Sequence, residues 1–195
     1  MTFIEQLASE HKVEVVYQSI EGSEAFVVGR SIFLSPDLYP QRMNWKFCHE
    51  LAHILLGHTK SKIHSQEQEH QADVLAVDLI LPMEKFKPLV RKYGLDILKE
   101  EFPQASWEVI ARRRIQFRPA VLTIFDNRRI SHRSAPEGMN YPFRISDPEA
   151  KVAKLCYDER CHLTESWEPM TIEGYFVDEN RGVERVILLT EIELF

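Results

Sequence analysis

Two histidines four residues apart with a glutamate between them, His49-Glu50-Leu51-Ala52-His53, restrict what this chain can fold into more than any other stretch. Residues at i and i+4 are neighbours on one face of an α-helix. The two imidazoles can therefore share one metal ion if, and only if, the segment is helical. Glu50 is turned by about 100° from His49, so its carboxylate can reach a water at the ion without ligating it. The surrounding pattern predicts a buried helix over 44–56, with Phe47, Leu51 and Leu55 on one stripe and Leu56 beside it. Gly57 follows where a helix C-terminus favours positive φ.

A catalytic metal needs a third protein ligand and an open position. The next helical pattern, predicted over 67–81, has Ala72, Leu75, Ala76, Leu79 and Ile80 as its apolar face and Pro82 as its stop. It offers Glu69 and Asp73, four apart on one side. Carboxylates on the inward edge of an apolar helix are costly unless something positive meets them. A dication suits Glu69, and an imidazole N–H suits Asp73, which would then fix the tautomer of a ligating histidine. The plainer alternative is a pair of ordinary helix histidines and two carboxylates along a solvated edge.

The rest of the pattern reads as α+β. A short amphipathic helix is expected over the first ten residues, with Phe3, Ile4, Leu7 and Ala8 at helical spacing, and a strand over 13–17, then a hairpin of 25–28 and 31–34 about Gly29-Arg30. Thr59 to Gln66 reads as a loop. Helical stretches follow over 83–93, broken at Gly94, and over 106–117 with Ser106 as N-cap. Beyond Pro119 come a hairpin of 121–125 and 129–133, a helix over 148–156 with Pro148 at N1, and a hairpin of 172–177 and 183–194. This predicts a metal-binding domain with a helical extension over 1–118, and a small β-rich region over 119–195.

A chain of 195 residues can bury a core without cross-links. Its net charge of −6 disfavours nucleic acid as the main partner. Arg112, Arg113, Arg114, Arg118, Arg128, Arg129 and Arg133 nevertheless make the middle basic; a solvated helix face is the plain reading, a docking surface for DNA or an acidic partner the sharper one. Met1 to Glu10 carries two acidic residues and no long apolar run, and no stretch nears the roughly 20 apolar residues that span a bilayer. With Cys48, Cys156 and Cys161 expected to be reduced, the compartment reads as cytoplasm, without membrane partners. Cys156, Cys161 and His162 look like half of a zinc cluster but lack a second pair, so a structural role is expected. His58 is read as capping its helix, and His64 and His70 as surface residues. An oxyanion donor could be Tyr93 or any of these three histidines.

His49 to His58 (HELAHILLGH), with Glu69-x-x-Ala72-Asp73 and a helix ending Leu79-Ile80-Leu81-Pro82, resembles the ImmA/IrrE family of metallopeptidases. The resemblance covers roughly residues 25–85 and fades after 120; Gln71, Leu75, Asp73 and Cys48 depart from the commoner residues without removing a ligand. It implies a zincin-like fold with a small antiparallel sheet and active-site helices. His49, His53 and Glu69 would be the metal ligands, Glu50 the general base and Asp73 the partner of a ligating histidine. It also implies Zn2+ as cofactor (Mn2+ or Fe2+ would also suit the donors) and an Xre-type helix-turn-helix repressor as the protein substrate. An extended substrate is expected along an edge strand, 25–28 or 32–34. Two other readings stand beside it: a metal-binding regulatory or antitoxin-like partner with little turnover, and a helix-turn-helix DNA-binding protein whose HExxH is accidental.

Overall fold

The computed structural model describes residues 1–58, 64–180 and 182–192. Contacts divide the chain into one unit of Met1–Phe86 with Glu100–Ser106 and a second of Lys87–Lys99 with Trp107–Phe195. Among the described residues there are seven α-helices and two sheets, a mixed α+β architecture. None of these helices is long and apolar enough to cross a membrane.

In the first unit, α1 (Phe3–His11) starts at a capping box in which Thr2 and Glu5 bond each other's backbone N–H. β1 (Glu14–Tyr17), β2 (Ala25–Val28) and β3 (Ser31–Leu34) form a three-stranded sheet ordered β1-β3-β2. β2 and β3 are the expected hairpin, with Phe26 and Phe33 paired across it at 4.6 Å between ring centroids. The sheet is mixed rather than antiparallel, because β1 pairs in parallel with the far side of β3. β3 is therefore hydrogen-bonded on both sides, so residues 32–34 cannot offer an edge to a peptide. β2 keeps one.

α2 (Pro40–Leu55) begins four residues earlier than its apolar pattern suggests, with Pro40 in the first turn where a fixed φ suits a helix start. Its buried residues are Phe47, Cys48, Leu51, Ala52 and His53, whereas Leu55 and Leu56 are 42% and 40% exposed. The core-facing stripe thus leaves the helix before its last turn. Gly57 follows at φ 73°, the left-handed conformation that turns the chain back. Of the loop expected over 59–66, residues 59–63 lie outside the described residues. α3 (Gln66–Ile80) opens at a second capping box, Ser65 with Gln68. It packs beside α2 and buries Ala72, Ala76 and Ile80, a strict i, i+4, i+8 row. α4 (Met83–Val90) contains Pro88 and is shorter than expected, and Leu95–Glu101 adds a helix, α5, that the sequence pattern does not announce.

α6 (Trp107–Arg114) belongs to the second unit, not to a domain ending at residue 118. The reason is electrostatic. Arg114 is fully buried, with its Nη2 2.6 Å from Glu173 and 3.3 Å from Glu191, and Arg118 joins the same two carboxylates. These acids lie in a five-stranded antiparallel sheet, ordered β5-β4-β8-β7-β6. It comprises β4 (Val121–Asp126), β5 (Arg129–Ser134), β6 (His162–Trp167), β7 (Met170–Asn180) and β8 (Val183–Ile192). β6 has no counterpart in the sequence reading, and the part of the last strand expected over 193–194 lies outside the described residues. α7 (Asp147–Glu159) covers β7 and β8 through Val152, Ala153, Cys156 and Tyr157. Gly174 permits this approach: a Cβ there would stand 2.6 Å from Cys156 Sγ and 2.7 Å from Val152 Cγ1.

The basic stretch is divided: Arg112, Arg128 and Arg129 are exposed, whereas Arg113 and Arg114 are buried. Arg112 pairs with Glu108, Arg128 with Asp158, and Arg133 with Glu149. The last pair is 5% and 3% exposed. Burial acts to raise the Glu149 carboxyl, but hydrogen bonds from Arg133, the Ser146 backbone and Thr190 hold it below its ordinary range. Arg133→Met leaves that carboxylate buried without its cation and should destabilise the second unit by about 3–5 kcal/mol, seen as a lowered thermal midpoint. Because the native group is the stronger acid, its contribution is present above the ordinary carboxylate range and is lost as pH falls from that range through the group's own lowered pKa. Urea midpoints measured on acidification should accordingly fall more steeply for the native chain than for Arg133→Met.

Candidate metal centre

The centre lies in the first unit, where α2 and α3 run side by side. His49 and His53, one turn apart on α2, bring their Nε2 atoms to 3.1 Å. Glu69, in the first turn of α3, places Oε2 3.2 Å from His49 Nε2 and Oε1 3.6 Å from His53 Nε2. Ligand atoms of these three residues all fall within 4.8 Å of one another, the one such cluster among the described residues. Bonds of about 2.0–2.1 Å to a tetrahedral Zn2+ would separate neighbouring donors by about 3.3 Å. The observed spacings bracket that value, and two imidazoles with a carboxylate are a donor set that suits the ion. The residues fit it.

Charge and protonation also suit a cation. His53 is 1% exposed. Burial, with the His49 and His64 rings beside it, pushes its imidazolium down to about 4, so the ring is neutral and its lone pairs are available. Glu50 is raised, chiefly by burial; His49 and Lys46 oppose the shift and Glu69 adds to it. A carboxylate made more basic in this way is a better proton acceptor near neutral pH. Asp73 accepts from His49 Nδ1 at 2.9 Å, which leaves His49 Nε2 for the ion.

Both α3 carboxylates are half-exposed, Glu69 at 45% and Asp73 at 54%, where the sequence reading expects an inward edge. They stand at the open side of the helix pair while Ala72 and Ala76 of the same helix are buried. No desolvation has to be offset there, and the side remains open to a substrate. Cys48 is buried and burial pushes its thiol up, so it is no ligand. Cys156 is likewise raised, to about 12, chiefly by burial, and His162 bonds the backbone carbonyl of Phe176 at 3.0 Å, so this pair with Cys161 forms no metal cluster.

His58 and His64 depart from expectation. His58 is buried, with Nδ1 3.2 Å from His53 Nδ1, and His64 stacks on the His53 ring at 4.0 Å between centroids and 15° between planes. Ligating lone pairs lie in the ring plane, so a ring stacked on His53 cannot share its ion in this pose. The one sequence signal for His58 is the helix-breaking Gly57 before it, which reverses the chain toward the face carrying His53. His70 is exposed on α3, as expected, and Tyr93 belongs to the second unit.

A helix pair with HExxH on one member and a carboxylate donor on the other is a candidate metal centre of the kind a metallopeptidase uses. The chain belongs to the IrrE N-terminal-like domain family, peptidase family M78, whose profile matches residues 2–114. A comparison with curated protein sequences finds no match. Among solved structures, a Mycobacterium tuberculosis transcriptional regulator is similar in fold, with a TM-score of 0.68 at 14% identity over 97% of this chain and 68% of that one.

Equilibrium dialysis against Zn2+ should give one ion per chain. Glu69→Ala should abolish stoichiometric binding. Asp73→Asn should weaken it about 10–100-fold without loss of the fold.

Proposed function

We propose that this chain is a zinc-dependent endopeptidase of the ImmA/IrrE type that cuts a helix-turn-helix repressor of the Xre type, with His49, His53 and Glu69 as ligands and Glu50 as general base. The observation that carries the reading is the convergence of three donor groups from two helices, with a half-buried Glu50 of raised basicity next to His49. Membership of a peptidase family supports it, and a role in transcription regulation or stress response follows from that family's usual substrates. A cytoplasmic location would suit such a substrate.

A bound divalent ion would supply Lewis-acid chemistry, polarising the scissile carbonyl and acidifying water. Glu50 takes the proton from the attacking water and passes it to the leaving amine. Asp73 holds His49 in the ligating tautomer. The sheet order puts β1 and β2 at the edges, and β2, where an extended peptide is expected to add as a strand, is one of them. Gln71 beside Glu69 donates to Glu67 at 2.9 Å, so it takes no part in the donor set.

The test is cleavage of a repressor encoded beside this gene by the Zn2+-loaded protein. Glu50→Gln should retain the ion and lower kcat/KM by about 10²–10⁴. Cleavage at the native rate by Glu50→Gln overturns the assignment of the base. A native protein that binds Zn2+ and the repressor but leaves it intact points instead to a regulatory partner with little turnover.

A further inference from the structure

His49 and His53 are supported differently, and the difference assigns a role to a residue outside the ligand set. The Nδ1 of His49 meets a carboxylate, Asp73. The Nδ1 of His53 meets another imidazole, that of His58, at 3.2 Å inside a buried contact. Two ring nitrogens at that distance need one hydrogen between them: two lone pairs repel, and so do two N–H groups.

We propose that His58 is the positioning residue for His53, accepting the His53 Nδ1–H on its own Nδ1 lone pair and thereby committing His53 Nε2 to the metal. The inference rests on the reading of His49, His53 and Glu69 as ligands. Once His53 uses its Nε2 lone pair for an ion, its one hydrogen sits on Nδ1, and the group facing it is His58 Nδ1. His58 then carries its hydrogen on Nε2. The face of the His53 ring is fixed separately, by the stacked His64. The edge contact sets the tautomer and the face contact sets the tilt. Gly57 at φ 73° makes the contact possible, since the chain has to fold back over α2 directly after Leu56 for a side chain at 58 to reach position 53.

Two substitutions separate this role from packing. In His58→Asn the side-chain Oδ1 occupies the place of Nδ1 and can accept the same hydrogen. In His58→Phe the ring shape remains but the acceptor is gone. Competition between the protein and a chelating indicator for Zn2+ should show His58→Phe weakened about 10–100-fold, with His58→Asn recovering most of the loss. Long-range 1H–15N spectra of the Zn2+-loaded native protein should show His53 protonated at Nδ1 and His58 at Nε2. Native-like affinity in His58→Phe, a His58→Asn variant no tighter than His58→Phe, or a His58 ring protonated at Nδ1 in the loaded protein overturns the proposal. Failure of the native chain to bind Zn2+ would overturn the metal reading instead, so the two failures are distinct.

Discussion

Two imidazole nitrogens held 3.1 Å apart, with a carboxylate oxygen a similar distance away, form a donor set that a single cation can bridge. Much of the first unit serves to keep that geometry. The one-turn spacing on α2 sets the nitrogen pair, and the capping box at Ser65 starts α3 so that Glu69 falls in its first turn, facing α2. The buried alanine row of α3 leaves no bulk to hold the helices apart. Each of these is a local rule of helix geometry, and together they produce a donor set matched to one small cation.

Burial is distributed unevenly around this centre. His53 is buried, kept neutral by desolvation, and touches His58 and His64, while the partly buried His49 meets Asp73. The α3 carboxylates remain half in water. A site closed behind and open in front can hold an ion firmly while admitting a polypeptide. Glu50 lies between these extremes, buried enough to be more basic than an ordinary glutamate.

The centre was legible in the sequence because its residues obey i, i+4 spacing on two helices with distinct apolar faces, and HExxH, Glu69 and Asp73 stand where that spacing puts them. What the sequence hid depends on contacts between distant residues. The parallel pairing of β1 with β3 comes from strand order, which local alternation does not encode. The buried arginines are not distinguishable from surface ones by local pattern because their carboxylates lie far off in the chain: Arg114 meets Glu173 and Glu191, and Arg133 meets Glu149. His58 reads as a helix cap because Gly57 signals a reversal of the chain without recording which side chain the reversal meets. Glu69 and Asp73 stand half-exposed at the mouth of the site rather than on an inward edge, because the apolar face of α3 is carried by Ala72 and Ala76. The helix at 95–101 and strand β6 went unannounced because each is short and gains its place from packing.

X-ray absorption at the zinc edge of the loaded protein tests the central claim most directly, since it reads the donor atoms themselves. The account expects a low-coordinate shell of nitrogen and oxygen at about 2.0–2.1 Å with the outer-shell scattering of two imidazole rings. A sulfur shell at about 2.3 Å, or a shell without imidazole scattering, would contradict it.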